Sequence, residues 1–412
     1  MKLRNLLRPI AAAATLAVAL ASHAQQNRAE VMHWWTSGGE SAALKVFSDQ
    51  FAKAGGTWVD TAIAGGPAAR AAAVNRVLGG KPPTAMQFNT GKQFDELVEA
   101  GLIADLDDVA KAGNWKTVVP PFFIEAVSRK GKIYAVPVNI HGQNWLFYNT
   151  AVLQKAGAKA PTNFDELLDT LEKVKATGVV PLAFGGAKNW ERLLFNTALV
   201  ATGGKELYSN IYSKRDENLV KSAAFKKAAE NFIALRKYVD AGHPGRPWND
   251  ATSMVITGKA GMQFMGDWAK GEFIAAGLTP GKEYGCTVVG QGYMMGGDVF
   301  AFAKVKDPAE MAAQKLLAKV LIDPETQLKF NAKKGSIPVR NDVDGSSLDA
   351  CAQQGMRLVK DVNRQVPDIN LIAAPQLVGA LDDVVSEFWN KPDGMKVDGF
   401  IAKFAQTLKS AI

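Results

Sequence analysis

From residue 30 onward the apolar and polar positions switch between two periods. EVMHWW (30–35) reads as a strand; ESAALKVFSDQFAKAGG (40–56) then sets Leu44, Phe47 and Phe51 on one helical face and ends on glycine. TWVDTAIAG (57–65) is extended again, an alanine-rich helix follows over 67–78, and PTAMQFN (83–89) reads as a third strand. Strand, helix, strand, helix, strand is the rhythm of a parallel sheet covered by helices. Ligands of such sheets sit beyond the carboxyl ends of the strands. Trp34, Trp35 and Asn89 fall at such ends, so the pattern predicts that they share one rim.

Further along, KIYAVPVN (132–139) is apolar and broken by Pro137, as an extended crossing segment would be. PTNFDELLDTLEKVKATG is predicted as a helix opened by Thr162, VVPLAFGG as a strand, and 221–241 as a strongly helical run. VITGKAGMQFMGDWAKGEF reads as a helix end, a short strand and a loop carrying Trp268; GGDVFAFAKV and GSIPVR are extended. Extended crossings separated by helical blocks predict two lobes joined by more than one strand, near 136–139, 298–300 and 334–339. The expected division is a signal segment over 1–24, a first lobe over 25–138 with a return over 298–334, and a second lobe over 139–297 completed by 335–412.

The opening stretch changes the picture of where the protein works. Lys2, Arg4 and Arg8, an apolar run from Ile10 to Ala21, and Ser22-His23-Ala24 form the three-part layout of a secretory signal, with cleavage expected after Ala24. That run is too short to span a bilayer as an ordinary helix. Loss of its three cations lowers the net charge from +8 to +5, a small value that argues against nucleic acid as a partner. Cys286 and Cys351 are the only cysteines; in an exported chain a disulfide is favoured over a metal site, with two free thiols as the alternative. His33, His141 and His243 are too far apart to write a zinc spacing.

The candidate chemistry centres on tryptophan. HWWTSGGE (33–40) places two indoles at a strand end, directly before a polar loop, which reads as the wall of a site. Trp190 follows Lys188 and Asn189, Trp248 precedes Asn249 and Asp250, and Trp268 follows Asp267. Indole faces suit the C–H faces of sugar rings, and neighbouring amides, carboxylates and lysines can replace the water lost by ring hydroxyls. A secreted carbohydrate-active enzyme using Glu40, Asp267 or Asp298 as acid and base is the alternative, although their spacing predicts no pairing. No nucleophile elbow or phosphate loop is present, and GGPAARAAAV reads as an ordinary helix start rather than an anion site.

HWWTSGGE, PVNIHGQNWLFYN, GKAGMQFMGDWAKGEF and KKGSIPVRND, in this order, resemble the glucose/mannose-type branch of the family-1 extracellular solute-binding proteins. The resemblance implies an α/β, two-lobed periplasmic binding protein fold, each lobe a mainly parallel sheet flanked by helices, with the ligand in the interlobe cleft. It implies that Trp34 and Trp35 contact a sugar, that Glu40 is at the site, that Trp268 stacks from the other lobe, and that Asp298 and Lys334 bind hydroxyls. Cys286 and Cys351 fall where that branch carries a cystine. Two positions depart from its pattern: QFNTG puts Asn89 or Thr90 in place of a lysine or glutamine, and Ala374-Pro375 replaces a histidine. The implied function is that of a monomeric periplasmic carrier without cofactor or metal. It would deliver a monosaccharide or short saccharide, a glucose-like hexose foremost, to the membrane permease of an ABC importer whose ATPase is a separate chain.

Overall fold

The computed structural model describes residues 27–391 and 393–410; the export signal expected over 1–24 lies outside them. The buried apolar residues form two separate cores. One gathers side chains from 29–140 and 299–339, the other from 145–295 and 351–408. Ile337 and Val339 still pack into the first core.

The first lobe is built on a five-stranded sheet in the order Thr57–Ala62, Arg28–His33, Ala85–Asn89, Asp298–Ala301, Ala135–Pro137. The first three strands are parallel, as their alternation with helices predicts. The last two run antiparallel to their neighbours because they belong to segments crossing between the lobes. In the second lobe Trp145–Asn149 lies antiparallel to both Tyr284–Val288 and Ala260–Met265; the parallel pairs are Ala260–Met265 with Val180–Leu182 and, in a separate three-stranded sheet, Tyr293–Gly296 with Gln365–Pro367. The expectation of mainly parallel sheets is therefore met by the first three strands, whereas the second lobe mixes parallel and antiparallel pairs.

The three crossing segments lie side by side. Val138 N donates to Asp298 O at 3.0 Å, and Ile140 and Ile337 exchange backbone bonds at 2.8 and 3.1 Å. A second junction joins the helix Gly38–Lys53 of the first lobe to the helix Ala269–Ala275, whose Ala269 and Phe273 belong to the second core. Contact there is close enough that a Cβ on Gly39 would lie 2.5 Å from the carbonyl carbon of Gly271. The Glu272 carboxylate accepts the Ser37 hydroxyl (2.7 Å) and the Gly39 N–H (2.9 Å), placing a negative charge at a helix N-terminus, where it is favourable.

Local signals account for most elements. Ser37 and Glu40 form a capping box that opens Gly38–Lys53, with Leu44, Phe47 and Phe51 buried on its inner face. The helix expected to open at Thr162 begins at Phe164 with Asn163 as its cap; Thr162 binds the Glu166 carboxylate instead. Trp268 caps the short helix Ala269–Ala275. Cys286 on its strand and Cys351 in the helix Ala350–Lys360 form a disulfide with Cα atoms 6.1 Å apart.

Candidate functional site

Between the two cores lies a cleft of about 440 Å³. Trp34, Trp35, Glu40, Asn89, Trp268, Asp298 and Lys334 all line it, so the structure brings the seven sequence-predicted residues together. They differ in what their side chains are free to do.

Trp34 and Trp35 leave the end of the strand Arg28–His33 on opposite sides, as extended backbone requires. Trp34 is half-buried and faces the cleft, with the Arg70 guanidinium 5.5 Å from its ring centroid. Trp35 is 1 % exposed. Its ring packs against Phe330 at 5.3 Å and edge-on to Phe300 at 5.6 Å, while the Lys334 ammonium sits 5.5 Å from its centroid. The expectation of two stacking faces is therefore corrected: Trp35 is core beneath the cleft floor. The strand end is fixed from behind, where the Trp35 N–H donates to His33 Nδ1 at 3.1 Å. That leaves His33 Nε2 to carry the ring proton and donate it to Asp60 at 2.8 Å.

Glu40 and Lys334 are both buried and satisfy each other, with Nζ 3.0 Å from Oε1. The other Glu40 oxygen receives the N–H groups of Thr36 and Ser37 at 3.2 and 3.4 Å. Glu40 is thus at once a helix cap and the counter-charge of Lys334.

The polar centre of the cleft is His141. Its Nε2 lies 2.8 Å from Asp298 Oδ2 and its Nδ1 bonds Asp267 Oδ1. Burial alone would strip the imidazole of its proton, but the two carboxylates outweigh it and hold the pKa up at about 9. Burial raises Asp298 in turn, and the His141 charge overcomes this to hold its carboxyl below the usual range. Asn139 Nδ2 (3.0 Å) and Asn89 Nδ2 (3.3 Å) also donate to Asp298. Asp267 closes the cluster by accepting the Gly142 N–H at 2.8 Å. Both carboxylates are fixed in place by these bonds, and they do not face each other across a bond to be cleaved.

On the second-lobe side Trp268 meets His141 edge-on at 5.1 Å and tilts against Trp190 at 5.8 Å. Gly266 makes this possible, since a Cβ there would fall 2.1 Å from the Trp268 ring. Trp190, Trp248 and Trp268 are half-buried and line the cleft, so three indoles from this side accompany Trp34.

Residues 47–350 match the family of bacterial extracellular solute-binding proteins. The chain belongs to that family. It is 39% identical over 398 residues, 94% of each chain, to a protein of Mesorhizobium japonicum named "Probable sugar-binding periplasmic protein". Over 384 residues it is 30% identical to an "Uncharacterized ABC transporter extracellular-binding protein" of Pyrococcus horikoshii, covering 90% of this chain and 85% of the other. Among solved structures, a "Chitin oligosaccharide binding protein" superposes with a TM-score of 0.79 at 20% identity, covering 93% of this chain and 98% of the other. That likeness supports the two-lobed fold.

Several cleft residues of this solute-binding protein escape a reading of the sequence. His141 sits inside one of the motifs, yet its partners are 126 and 157 residues away. Arg70 and the glycines before it line the cleft, although GGPAARAAAV reads as an ordinary helix start. Of the two candidates in QFNTG, Asn89 faces the cleft, whereas Thr90 is buried and its N–H is tied to Gly297 O at 2.8 Å. Ala374 opens the helix Pro375–Asn390, and the cleft groups from that part of the chain are Asp368, Asn370, Val378 and Asp382.

Proposed function

We propose that the protein is the periplasmic solute-binding component of an ABC importer. It captures a monosaccharide or short saccharide between its lobes and presents it to a membrane permease whose ATPase resides on another chain. The observation that carries this reading is the composition of the cleft. Half-buried indoles from both lobes stand beside fixed carboxylate, amide and ammonium groups, the combination that an amphiphilic sugar ring needs. The names of the Mesorhizobium and Pyrococcus relatives support the same role.

Within it, the four motifs favour the glucose/mannose-type branch and a glucose-like ring as the ligand's core. The chain acts as a monomer, exported through a signal removed after Ala24. It is a carrier and not an enzyme, because Glu40, Asp267 and Asp298 are each committed to a lysine, a histidine or backbone N–H groups. Incubating the purified protein with sugars and glycosides tests this: recovery of every compound intact is expected. Glycosidic cleavage abolished by Asp298→Asn or Glu40→Gln would overturn it.

A further inference from the structure

Nearly every cation lining the cleft has a carboxylate partner. Lys334 pairs with Glu40 at 3.0 Å, Arg192 with Asp382 at 2.5 Å, Arg246 with Asp240 at 2.5 Å, and His141 stands between Asp267 and Asp298. Arg70 alone among these has no carboxylate within 4.0 Å among the described residues. Its hydrogen bond among the described residues goes to the Asn89 side-chain oxygen at a long 3.4 Å, and its Cζ lies 5.5 Å from the Trp34 ring centroid.

The amides around it are already engaged. Asn89 donates to Asp298 at 3.3 Å, and Gln93 accepts the Asn89 N–H at 2.9 Å and donates to Asn370 at 3.1 Å. Arg70 therefore lines the cleft with a five-donor planar fork that makes one weak bond among the described residues. Burial first, and the Arg192 charge second, lower the Arg70 pKa to about 10, so its surroundings disfavour the charge that it carries. A guanidinium fork is matched in shape by a carboxylate, which takes two parallel hydrogen bonds.

Resting on the sugar-carrier reading, we propose that the cleft takes an acidic sugar, and that Arg70 is the specificity-determining residue that receives the ligand's carboxylate. A uronate meets the requirement: a hexose-like ring for the indoles and a single negative charge for the one unpaired cation. A sugar phosphate fits less well, because it carries close to two charges at neutral pH.

Calorimetric titration of the full mature chain with glucose, galactose, glucuronate, galacturonate and glucose 6-phosphate tests the proposal. One uronate is expected to bind about tenfold or more tighter than its parent hexose, the scale of one charge-assisted hydrogen bond. Raising the salt concentration should narrow that ratio. Arg70→Gln should bring it close to one, and Arg70→Lys, which keeps the charge but loses the fork, should leave it in between. A parent protein that binds the neutral hexose as well as or better than either uronate overturns the proposal and leaves the carrier reading standing. Tightest binding of the phosphate also overturns it, as does failure of both uronates to bind; the carrier reading falls only if hexoses, pentoses and disaccharides fail as well.

Discussion

Nε2 of His141 lies 2.8 Å from Oδ2 of Asp298, while Nδ1 of the same ring is bonded to Asp267, so one imidazolium ties together two carboxylates from distant parts of the chain. All three groups are buried. The trio at the centre of the cleft therefore works in a low-dielectric setting, where breaking a charge cluster costs more than it does at a surface.

The sign of the resulting pH dependence follows from the direction of the shift. His141 is raised in the folded protein to about 9 from the usual 6.5. Its contribution is fully present below pH 6.5 and is lost as pH rises through about 9. A shift of that size corresponds to ~3 kcal/mol. Thermal unfolding should show a melting temperature falling between about pH 7 and 10, with the slope removed in His141→Gln. On the acid side Asp298, held low, contributes stability above its unfolded pKa that is lost as pH falls through its folded value. An alkaline slope that persists unchanged in the His141 variant would contradict this role.

The two adjacent tryptophans should separate into a structural and a binding residue. Trp35→Ala empties a site enclosed by Phe47, Phe300 and Phe330, and should cost ~3–5 kcal/mol of stability in denaturant unfolding. Trp34→Ala removes a half-buried ring at the cleft and should change stability little while weakening sugar binding by ~1–3 kcal/mol. The reverse ranking would mean that the cleft wall has been assigned to the wrong indole.

This pair also marks how far the sequence was legible. Period and strand–helix alternation gave the parallel strands and placed Trp34, Trp35 and Asn89 on one rim, because each depends on residues close in the chain. Which indole turns inward depended on core partners such as Phe300 and Phe330, more than 260 residues away. The strand directions in the second lobe were hidden because they depend on where the crossings re-enter the sheet. His141 stayed silent for the same reason, since an isolated histidine shows nothing of the carboxylates that will flank it. Arg70 was passed over because a glycine-led helix start looks alike whether it faces solvent or a cleft.

Gly39 and Gly271 set the distance between the two lobes at their second junction. A methyl group at Gly39 would meet backbone atoms of Gly271 at 2.5 and 2.7 Å, which cannot turn aside as a side chain could. Gly39→Ala should therefore force the helices apart, lower stability by ~1–3 kcal/mol, and enlarge the radius of gyration of the ligand-saturated protein in solution scattering. An unchanged melting temperature and an unchanged radius would show that the junction is looser than described.

Cys286 and Cys351 are 65 residues apart in sequence, so their bond closes a long loop. In the chain-entropy picture, opening a loop of this length by reduction should lower stability by ~4 kcal/mol. Alkylation of the denatured, unreduced protein should label no thiol, and the urea midpoint should drop once reductant is added. Two labelled cysteines in the native protein would refute the pairing.

The central claim is that the cleft binds sugar between indoles of the two lobes. Calorimetric titration of the parent protein, Trp34→Ala and Trp268→Ala against hexoses, pentoses, uronates and disaccharides tests it most directly. Saturable one-to-one binding of at least one sugar is predicted, weakened in both variants while their circular dichroism stays that of the parent. A parent protein that binds no member of the panel, or two folded variants that bind as tightly as the parent, would contradict it.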